Sequence, residues 1–348
     1  MSRKAVALAL LAAALFGLST PAAKLLLSGA GPWTLAGILY IGAGLGLGLL
    51  RLALPAQRER EARLTWRELP WLAAAIAAGG VIGPVLLMVG LQHMQASSAS
   101  LLLTLEGVFT ALLAWFAFGE NFDRRIALGM ALIVAGALVL NWHGEVQLAG
   151  LIGPLAIAGA CLAWALDNNL TRAVSLSDPL QIAMLKGAIA GPISLAIGML
   201  SGETVPPPWQ LAAGAVVGWL GYGISLTAFV MALRDLGTAR TGAYFATAPF
   251  LGAIVAVPLL GETVSWQLVA AGAAMAAGVW LHLTERHEHE HQHEGLEHEH
   301  RHRHDDMHHA HRHDHPVAPG TEHSHRHVHT RLRHRHRHVP DAHHRHSH

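Results

Sequence analysis

The sequence predicts an all-α integral membrane protein whose ten transmembrane helices form two inverted five-helix repeats, followed by a disordered tail. Three observations lead to this prediction: long apolar runs fill the chain up to Leu283, a Gly-Glu pair recurs, and the composition changes abruptly at Thr284. Only 14% of the 348 residues are charged, whereas a soluble chain has about a quarter. The apolar part is therefore predicted to lie in a lipid bilayer, and the tail is a separate segment of different composition.

Apolar runs of about 20 residues are candidate membrane helices, because a rise of about 1.5 Å per residue carries such a helix across the hydrocarbon core. Ten runs can be marked, separated by brief polar connections, and we number them spans 1 to 10. They cover residues 5–27, 33–54, 69–91, 96–118, 125–142, 150–171, 180–200, 209–231, 238–260 and 264–283.

Basic residues indicate the orientation of the spans, since Lys and Arg accumulate on cytoplasmic connections. If the N-terminus is cytoplasmic, every connection on that face contains Lys or Arg, and the opposite connections contain neither. We therefore expect a multi-pass protein of the inner membrane with both termini in the cytoplasm. The cytoplasmic basic residues are Arg3, Lys4, Arg51, Arg58, Arg60, Arg63, Arg67, Arg124, Arg125, Arg172, Arg234 and Arg240.

The Gly-Glu pair indicates an internal duplication. Gly119-Glu120 closes span 4, and Gly261-Glu262 closes span 9, 142 residues later. A five-span unit is odd in number, so its second copy enters the membrane upside down. Inverted repeats of this kind place a substrate site near the midplane, between the halves. The predicted units are residues 1–142, 143–283 and, for the tail, 284–348.

Ten spans in two inverted fives, short connections, and Gly-Glu at the ends of spans 4 and 9 resemble the drug/metabolite transporter superfamily, specifically its EamA-type branch. The resemblance covers residues 1–283 and excludes the tail. It implies a secondary active transporter rather than an enzyme, commonly an exporter of amino acids or other small metabolites. The chain contains no Gly-x-x-x-x-Gly-Lys-Ser/Thr loop for nucleotide phosphates, which agrees with secondary transport.

Glu106 is the most informative residue within the spans, because it lies near the middle of span 4. An ionised side chain at that depth costs roughly 2.5–3.5 kcal/mol or more. A carboxyl group placed there is a candidate proton carrier for coupled transport. The alternative is a protonated Glu that only hydrogen-bonds to a neighbouring helix.

Span 6 contains a second polar group, in which consecutive polar side chains interrupt an apolar helix. Trp164 and Asp167 lie three residues apart on one helical face, where they could present an aromatic wall and a carboxylate to an amine or cation. Alternatively, these polar residues cap a helix that ends early. Lys186 either balances Asp167 or extends its amine to the membrane edge. The candidate path residues are Glu106, Trp164, Asp167, Asn168, Asn169 and Lys186.

Glu120 and Glu262 are expected at opposite membrane edges, where each either ties helix ends together or acts as a gate. The single cysteine, Cys161, excludes a disulfide or a Cys-based zinc site within one chain. The net charge of +1 indicates no basic patch for nucleic acid. The expected partners are therefore the lipid bilayer and a small-molecule or cation substrate. A homodimer is compatible with the sequence, which does not decide it.

The tail contains 24 of the 27 histidines, interspersed with Glu, Asp and Arg. It has too few apolar residues to form a core, so we expect disorder. Alternating imidazoles on a flexible chain can surround Zn, Ni, Co or Cu, although transport itself requires no cofactor. The candidate metal ligands are His287, His289, His291, His293, His298, His300, His302, His304, His334, His336 and His338.

Three functions are consistent with these patterns: a secondary exporter of a small metabolite, an exporter of a divalent transition metal, and a membrane-anchored metal store or sensor. The metal exporter would use the oxygen ligands of spans 4 and 6. Against it, the membrane centre contains no His, and Cys161 is the only Cys, whereas a zinc or nickel path would be expected to use such ligands.

Growth under zinc, nickel, cobalt and copper stress separates these functions. For a metabolite exporter, deletion of the gene, truncation after Thr284 and Glu106→Gln should each leave metal tolerance unchanged. Sensitivity on deletion and with Glu106→Gln, but not on truncation, would instead identify metal as the cargo. Sensitivity produced by truncation alone would identify a metal store.

Overall fold

The computed structural model describes most of the chain up to Thr284 and four short segments of the tail. The described residues are 3–53, 64–118, 124–142, 148–172, 174, 178–236, 238–284, 288–292, 297–302, 323–328 and 333–337. Every predicted span is helical within these residues. Several of the predicted motif residues and metal ligands lie outside them, namely Gly119, Glu120, His287, His293, His304 and His338.

Six of the ten spans are single helices, and four are interrupted. The uninterrupted helices are Arg3–Leu26, Pro32–Ala53, Arg124–Leu140, Ile152–Arg172, Pro179–Leu200 and Trp266–Leu283, for spans 1, 2, 5, 6, 7 and 10. A 3-10 turn, Leu148–Leu151, precedes span 6. Span 3 comprises Leu69–Ala75, the π-helical Ile76–Ile82 and Gly83–His93. Span 4 comprises Ala96–Leu102 and Leu105–Phe118. Span 8 comprises Pro208–Gly218, the π-helical Trp219–Ile224 and Ser225–Leu236, and span 9 comprises Thr238–Phe245 and Ala248–Leu260.

Length and composition support a multi-pass membrane protein. Six described helical stretches are long and apolar enough to cross a bilayer, and they belong to spans 1, 2, 3, 4, 7 and 8. Spans 9 and 10 contain shorter apolar helices, Ala248–Leu260 and Trp266–Leu281. A multi-pass architecture is therefore shown, while the full number of ten crossings stays a prediction.

The helix interruptions repeat along the chain. The π-helical segments of spans 3 and 8 begin at Ile76 and Trp219, 143 residues apart. The breaks in spans 4 and 9 have the same spacing. At these breaks the Thr104 hydroxyl donates to the Leu101 carbonyl at 2.8 Å, and the Thr247 hydroxyl donates to that of Tyr244 at 2.6 Å. The duplication inferred from the Gly-Glu pairs thus extends to the irregular backbone of each half.

The two halves run in opposite directions. Span 1 ends where the Lys24 ammonium donates to the Met94 carbonyl at 3.1 Å, after the end of span 3. Gly153, near the start of span 6, lies against the same His93–Met94 turn. Equivalent first helices therefore have opposite polarity, as predicted for an inverted repeat. We call this side of the bundle the Glu262 end, and the opposite side, where Arg51 pairs with Asp178, the Arg51 end.

The first helix of each half packs against helices of the other half. Span 1 packs against spans 8 and 9 of the second half, and span 6 packs against spans 3 and 4 of the first. Span 2 packs along span 7, and span 5 along span 10. The core therefore belongs to both halves, and neither half encloses a core of its own.

The tail segments depart from the predicted disorder. β1 (Glu288–Gln292) pairs with β4 (Arg333–Arg337), and β2 (Glu297–His302) pairs with β3 (His323–Val328), both antiparallel. In this register Glu288 lies opposite Arg337, and Glu290 lies opposite Arg335. The rest of the tail's predicted disorder stays a prediction.

Glycine permits the close contact between spans 2 and 7. A Cβ atom on Gly44 would lie 2.6 Å from the backbone nitrogen of Ala188, whereas a Cβ atom on Gly48 would meet only the Met184 sulfur at 3.9 Å. We expect Gly44→Ala to reduce stability by about 1–3 kcal/mol through overpacking. Gly48→Ala, one turn away, is the matched control and should be neutral. Thermal unfolding of both variants in detergent measures the difference, and equal midpoints would contradict the packing assignment.

Candidate functional site

The break in span 4 determines the position of Glu106. The backbone N–H groups of Glu106 and Gly107 donate to the carbonyls of Leu103 and Thr104, three residues back, at 3.1 and 3.2 Å. The second helix begins at Leu105, so Glu106 lies in its first turn. The aligned peptide dipoles give a helix start a partial positive charge, which favours a carboxylate there. The interruption, rather than span 4 as a whole, thus provides the local environment of Glu106.

Asn168 is the hydrogen-bonding partner of Glu106. Its amide nitrogen donates to a Glu106 carboxylate oxygen at 2.7 Å across the contact between spans 4 and 6. Glu106 is half-buried and Asn168 is exposed on the surface of the protein. Two of the predicted path residues therefore form a polar pair that joins the two repeats.

Asp167 is already paired with a cation. The Lys186 ammonium lies 2.5 Å from one Asp167 carboxylate oxygen. It also donates to the Thr171 hydroxyl at 2.9 Å, and that hydroxyl donates back to Asp167 at 2.8 Å. The side chains of Asp167 and Lys186 are only 13% and 7% exposed. Of the two roles predicted for Lys186, the structure shows the balancing one. The sequence suggested that the Asp167 carboxylate could recognise an amine of the substrate. In the structure the amine that it binds is that of Lys186.

Trp164 contacts the π-helical segment of span 3. Its indole N–H donates to the Gly79 carbonyl at 3.1 Å, and the Tyr40 hydroxyl donates to the same oxygen at 2.8 Å. The Gly83 N–H bonds to the carbonyl of Ala78, and the next residue, Pro84, has no N–H to offer. The Gly79 carbonyl is thus released from its own helix and satisfied from spans 2 and 6. A side chain at Gly79 would also collide with the Asp167 carboxylate.

Four aromatic rings, of which those of Tyr40 and Trp164 belong to the donors to this carbonyl, lie together at the boundary between the halves. Phe16 lies edge-on to Trp164 with ring centroids 6.0 Å apart, and 5.9 Å from the ring of Tyr222. Tyr222 in turn lies 5.4 Å from Tyr40. The Tyr222 hydroxyl is buried and has no hydrogen-bonding partner among the described residues. The rings form an apolar layer beside the polar pairs of span 6.

The site lies between two groups of three spans. Spans 1, 8 and 9 form one group, and spans 3, 4 and 6 form the other. Near the Glu262 end the groups touch directly, since Gly252 of span 9 lies against Ser100 of span 4. Among the described residues, no comparable packing joins the segments Leu105–Phe118 and Thr238–Phe245 near the Arg51 end. The groups therefore diverge toward the Arg51 end, and Glu106 and Phe16, near the middle of their spans, are only half-buried.

The remaining predicted residues lie apart from this crevice. Asn169 donates to the Ala165 carbonyl of its own helix at 2.8 Å, and its place in the path stays a prediction. Gly261 ends span 9 with a left-handed φ of 65°. Glu262 accepts the backbone N–H groups of Ala96 and Ser97 at 2.6 and 2.9 Å, which is the helix-tying role predicted as one alternative.

Sequence reasoning missed the aromatic layer and Gly79. The signals were present, because Gly79-Gly80 is followed by Pro84 within one apolar span, and Tyr40 and Tyr222 are two of only three tyrosines in the chain. Within the part of the chain that the structure describes, no group of three or more His, Cys, Asp or Glu side chains is placed to hold a metal.

The Asp167–Lys186 pair makes a testable contribution to stability. Lys186→Met leaves a buried carboxylate without its cation, which typically costs about 3–5 kcal/mol. The double change Asp167→Asn with Lys186→Met removes both charges and should recover most of that loss. Thermal unfolding in detergent compares the two, and the ion-pair assignment fails if the double variant is no more stable than the single one.

Comparison with known proteins agrees with this architecture. The model of the EamA-like transporter family matches residues 3–142 and again 151–284. An uncharacterized transporter of Methanothermobacter thermautotrophicus is 29% identical over 281 residues, covering 76% of this chain and 82% of that protein. A probable terminal-alkyne amino-acid exporter of Streptantibioticus cattleyicolor is 28% identical, covering 62% and 73%.

Two further similarities extend the comparison. A probable amino-acid metabolite efflux pump of Salmonella typhimurium is 27% identical, covering 55% of this chain and 68% of that protein. A solved crystal structure with 19% identity superposes with a TM-score of 0.62 over 80% of this chain and 98% of the other, which shows a common fold. Because the family match recurs in both halves and covers most of the sequence, this chain belongs to the EamA-like transporter family and is a multi-pass membrane transporter.

Proposed function

We propose that this transporter is a secondary active exporter of a small, amino-acid-like metabolite, and that Glu106 exchanges the coupling proton or cation. Two similar proteins are named as an amino-acid exporter and an amino-acid metabolite efflux pump, which supports the substrate class. The inverted halves with a polar crevice between them suit alternating access.

The Glu106–Asn168 contact is the observation that carries this proposal. Asp167 cannot lose its charge without leaving Lys186 unpaired, because the two form a buried ion pair. Glu106 has a neutral amide as its partner, so it can gain or lose a proton, or bind a substrate cation, without disrupting an ion pair. An exchangeable carboxyl group beside a crevice is what coupled transport needs.

The predicted orientation indicates which face of the membrane the crevice meets. The basic connections assign the Arg51 end to the cytoplasm, and the crevice widens toward that end. A transporter of the inner membrane with both termini in the cytoplasm would therefore expose Glu106 to cytoplasmic substrate in the state described by the structure. A homodimer stays a prediction.

The histidine-rich tail is proposed to bind Zn, Ni, Co or Cu on the cytoplasmic side and to modulate transport. The described spans offer no metal-holding cluster, so the metal-exporter alternative has no support within them. The membrane-anchored metal store likewise rests on the tail alone.

Export from preloaded proteoliposomes, measured with a panel of radiolabelled amino acids and an imposed proton gradient, tests the proposal. Glu106→Gln should reduce gradient-driven export by about tenfold or more, because a Gln amide has no titratable proton. Asn168→Ala should reduce it by up to about tenfold, since it removes a hydrogen bond to a charged group worth about 1.5 kcal/mol.

Asn169→Ala is the matched control, because this neighbouring amide bonds only to its own helix in the structure, and it should export normally. Wild-type rates for Glu106→Gln under the same gradient would exclude Glu106 as the exchanging group.

A further inference from the structure

We propose that Glu262 and Lys24 are positioning residues that hold the Glu262 end of the transporter closed while the crevice is open at the Arg51 end. Their release would then let the substrate leave. The proposal deepens the proposed function and rests on it. We call the contacts of these two side chains with the turn between spans 3 and 4 the Glu262–Lys24 clamp.

Glu262 connects the two groups of spans. Its two carboxylate oxygens accept the N–H groups of Ala96 and Ser97 at the start of span 4, although Glu262 itself follows span 9. The left-handed Gly261 reverses the chain, and the Glu262 N–H bonds back to the Val257 carbonyl at 3.0 Å. The carboxylate is therefore fixed to one group of spans while it holds the other.

Lys24 also bonds to the turn between spans 3 and 4. Its ammonium donates to the carbonyls of Leu91 and Met94, at the end of span 3, and Lys24 belongs to span 1. One side of the turn thus bonds to a cation and the other to an anion, both supplied by the group of spans 1, 8 and 9. Separation of the two groups at this end requires all of these contacts to break.

The contacts of the clamp are of a kind that can break and reform. Hydrogen bonds with one charged partner are stronger than those between neutral groups, and water can replace them at a membrane edge. In the middle of the bilayer no such replacement exists. A clamp at the edge can therefore bias an equilibrium between two states without making either state permanent.

Glu203 provides an internal contrast on the same end of the bundle. Its carboxylate accepts the N–H groups of Trp33 and Thr34 at 3.3 and 2.7 Å, and so ties span 7 to span 2. Those two spans are also in contact at Gly44, midway, and joined by the Arg51–Asp178 ion pair at 2.6 Å at the opposite end. Glu203 therefore joins spans 2 and 7, which are in contact at both ends and in the middle. Glu262 joins two groups of spans that diverge toward the Arg51 end.

A thiol-labelling experiment tests the clamp without any substrate. Cys161→Ala removes the single native cysteine, and Ser100→Cys places a reporter in the contact with Gly252, where Ser100 is 1% exposed. The rate of labelling by a membrane-impermeant maleimide is measured in right-side-out and in inverted vesicles. Glu262→Gln and Lys24→Met are added separately, and Glu203→Gln serves as the matched control. Gel filtration establishes that each variant is folded.

We expect Glu262→Gln and Lys24→Met each to raise the labelling rate from the outer face about tenfold, as the loss of a charge-assisted contact shifts the equilibrium toward opening. Glu203→Gln should leave the rate unchanged. The clamp is refuted if the two folded variants label at the parental rate, or if Glu203→Gln accelerates labelling equally. Accelerated labelling together with no export of any amino acid would retain the clamp and overturn the proposed function instead.

Discussion

The satisfaction of backbone polar groups inside the membrane is the constraint on which the rest of this structure depends. Hydrocarbon offers no hydrogen bonds, so each helix interruption needs partners from elsewhere in the protein. The Gly79 carbonyl, in the π-helical segment of span 3, accepts hydrogen bonds from Tyr40 and Trp164, and the Leu102 carbonyl, at the break in span 4, lies 3.6 Å from the Cys161 thiol. Both carbonyls lie in the first half of the chain, and Trp164 and Cys161 lie in the second. The inverted halves are thus joined at the points where their helices are irregular.

The same constraint explains why the candidate site is asymmetric although the fold is duplicated. Spans 4 and 9 break at equivalent places, but Glu106 lies in the first turn of the second helix of span 4, where span 9 has Pro249, 143 residues later. Both residues suit the first turn of a helix, Pro because it needs no N–H partner and Glu because its charge is favoured there. Only one of the two equivalent positions carries a carboxyl group, so the duplicated halves contribute different side chains to the crevice between them.

Several features were predictable from the sequence because they depend on local or compositional physics. Apolar length predicted every helical run, and the spacing of Gly119-Glu120 and Gly261-Glu262 predicted the repeat. The prohibitive cost of burying charge in lipid directed attention to Glu106, Asp167 and Lys186. The interruptions of spans 3, 4, 8 and 9 were not predicted, because apolar composition is the same in an α-helix, a π-helical segment and a broken helix. The strand pairing in the tail was missed because composition alone does not reveal register.

By itself, the sequence determined that the chain crosses a membrane, that its apolar part is duplicated and inverted, and which ionisable groups lie within it. The spans and the ionisable groups within them follow from the transfer of each side chain between water and lipid, which is additive along the chain. The duplication follows from the spacing of the two Gly-Glu pairs. The tertiary structure decided which of those groups are paired: Asp167 with Lys186, Glu106 with Asn168, and Glu262 with the start of span 4. Such pairing requires atoms from distant helices to meet within about 3 Å, and that proximity arises only when the two halves pack together.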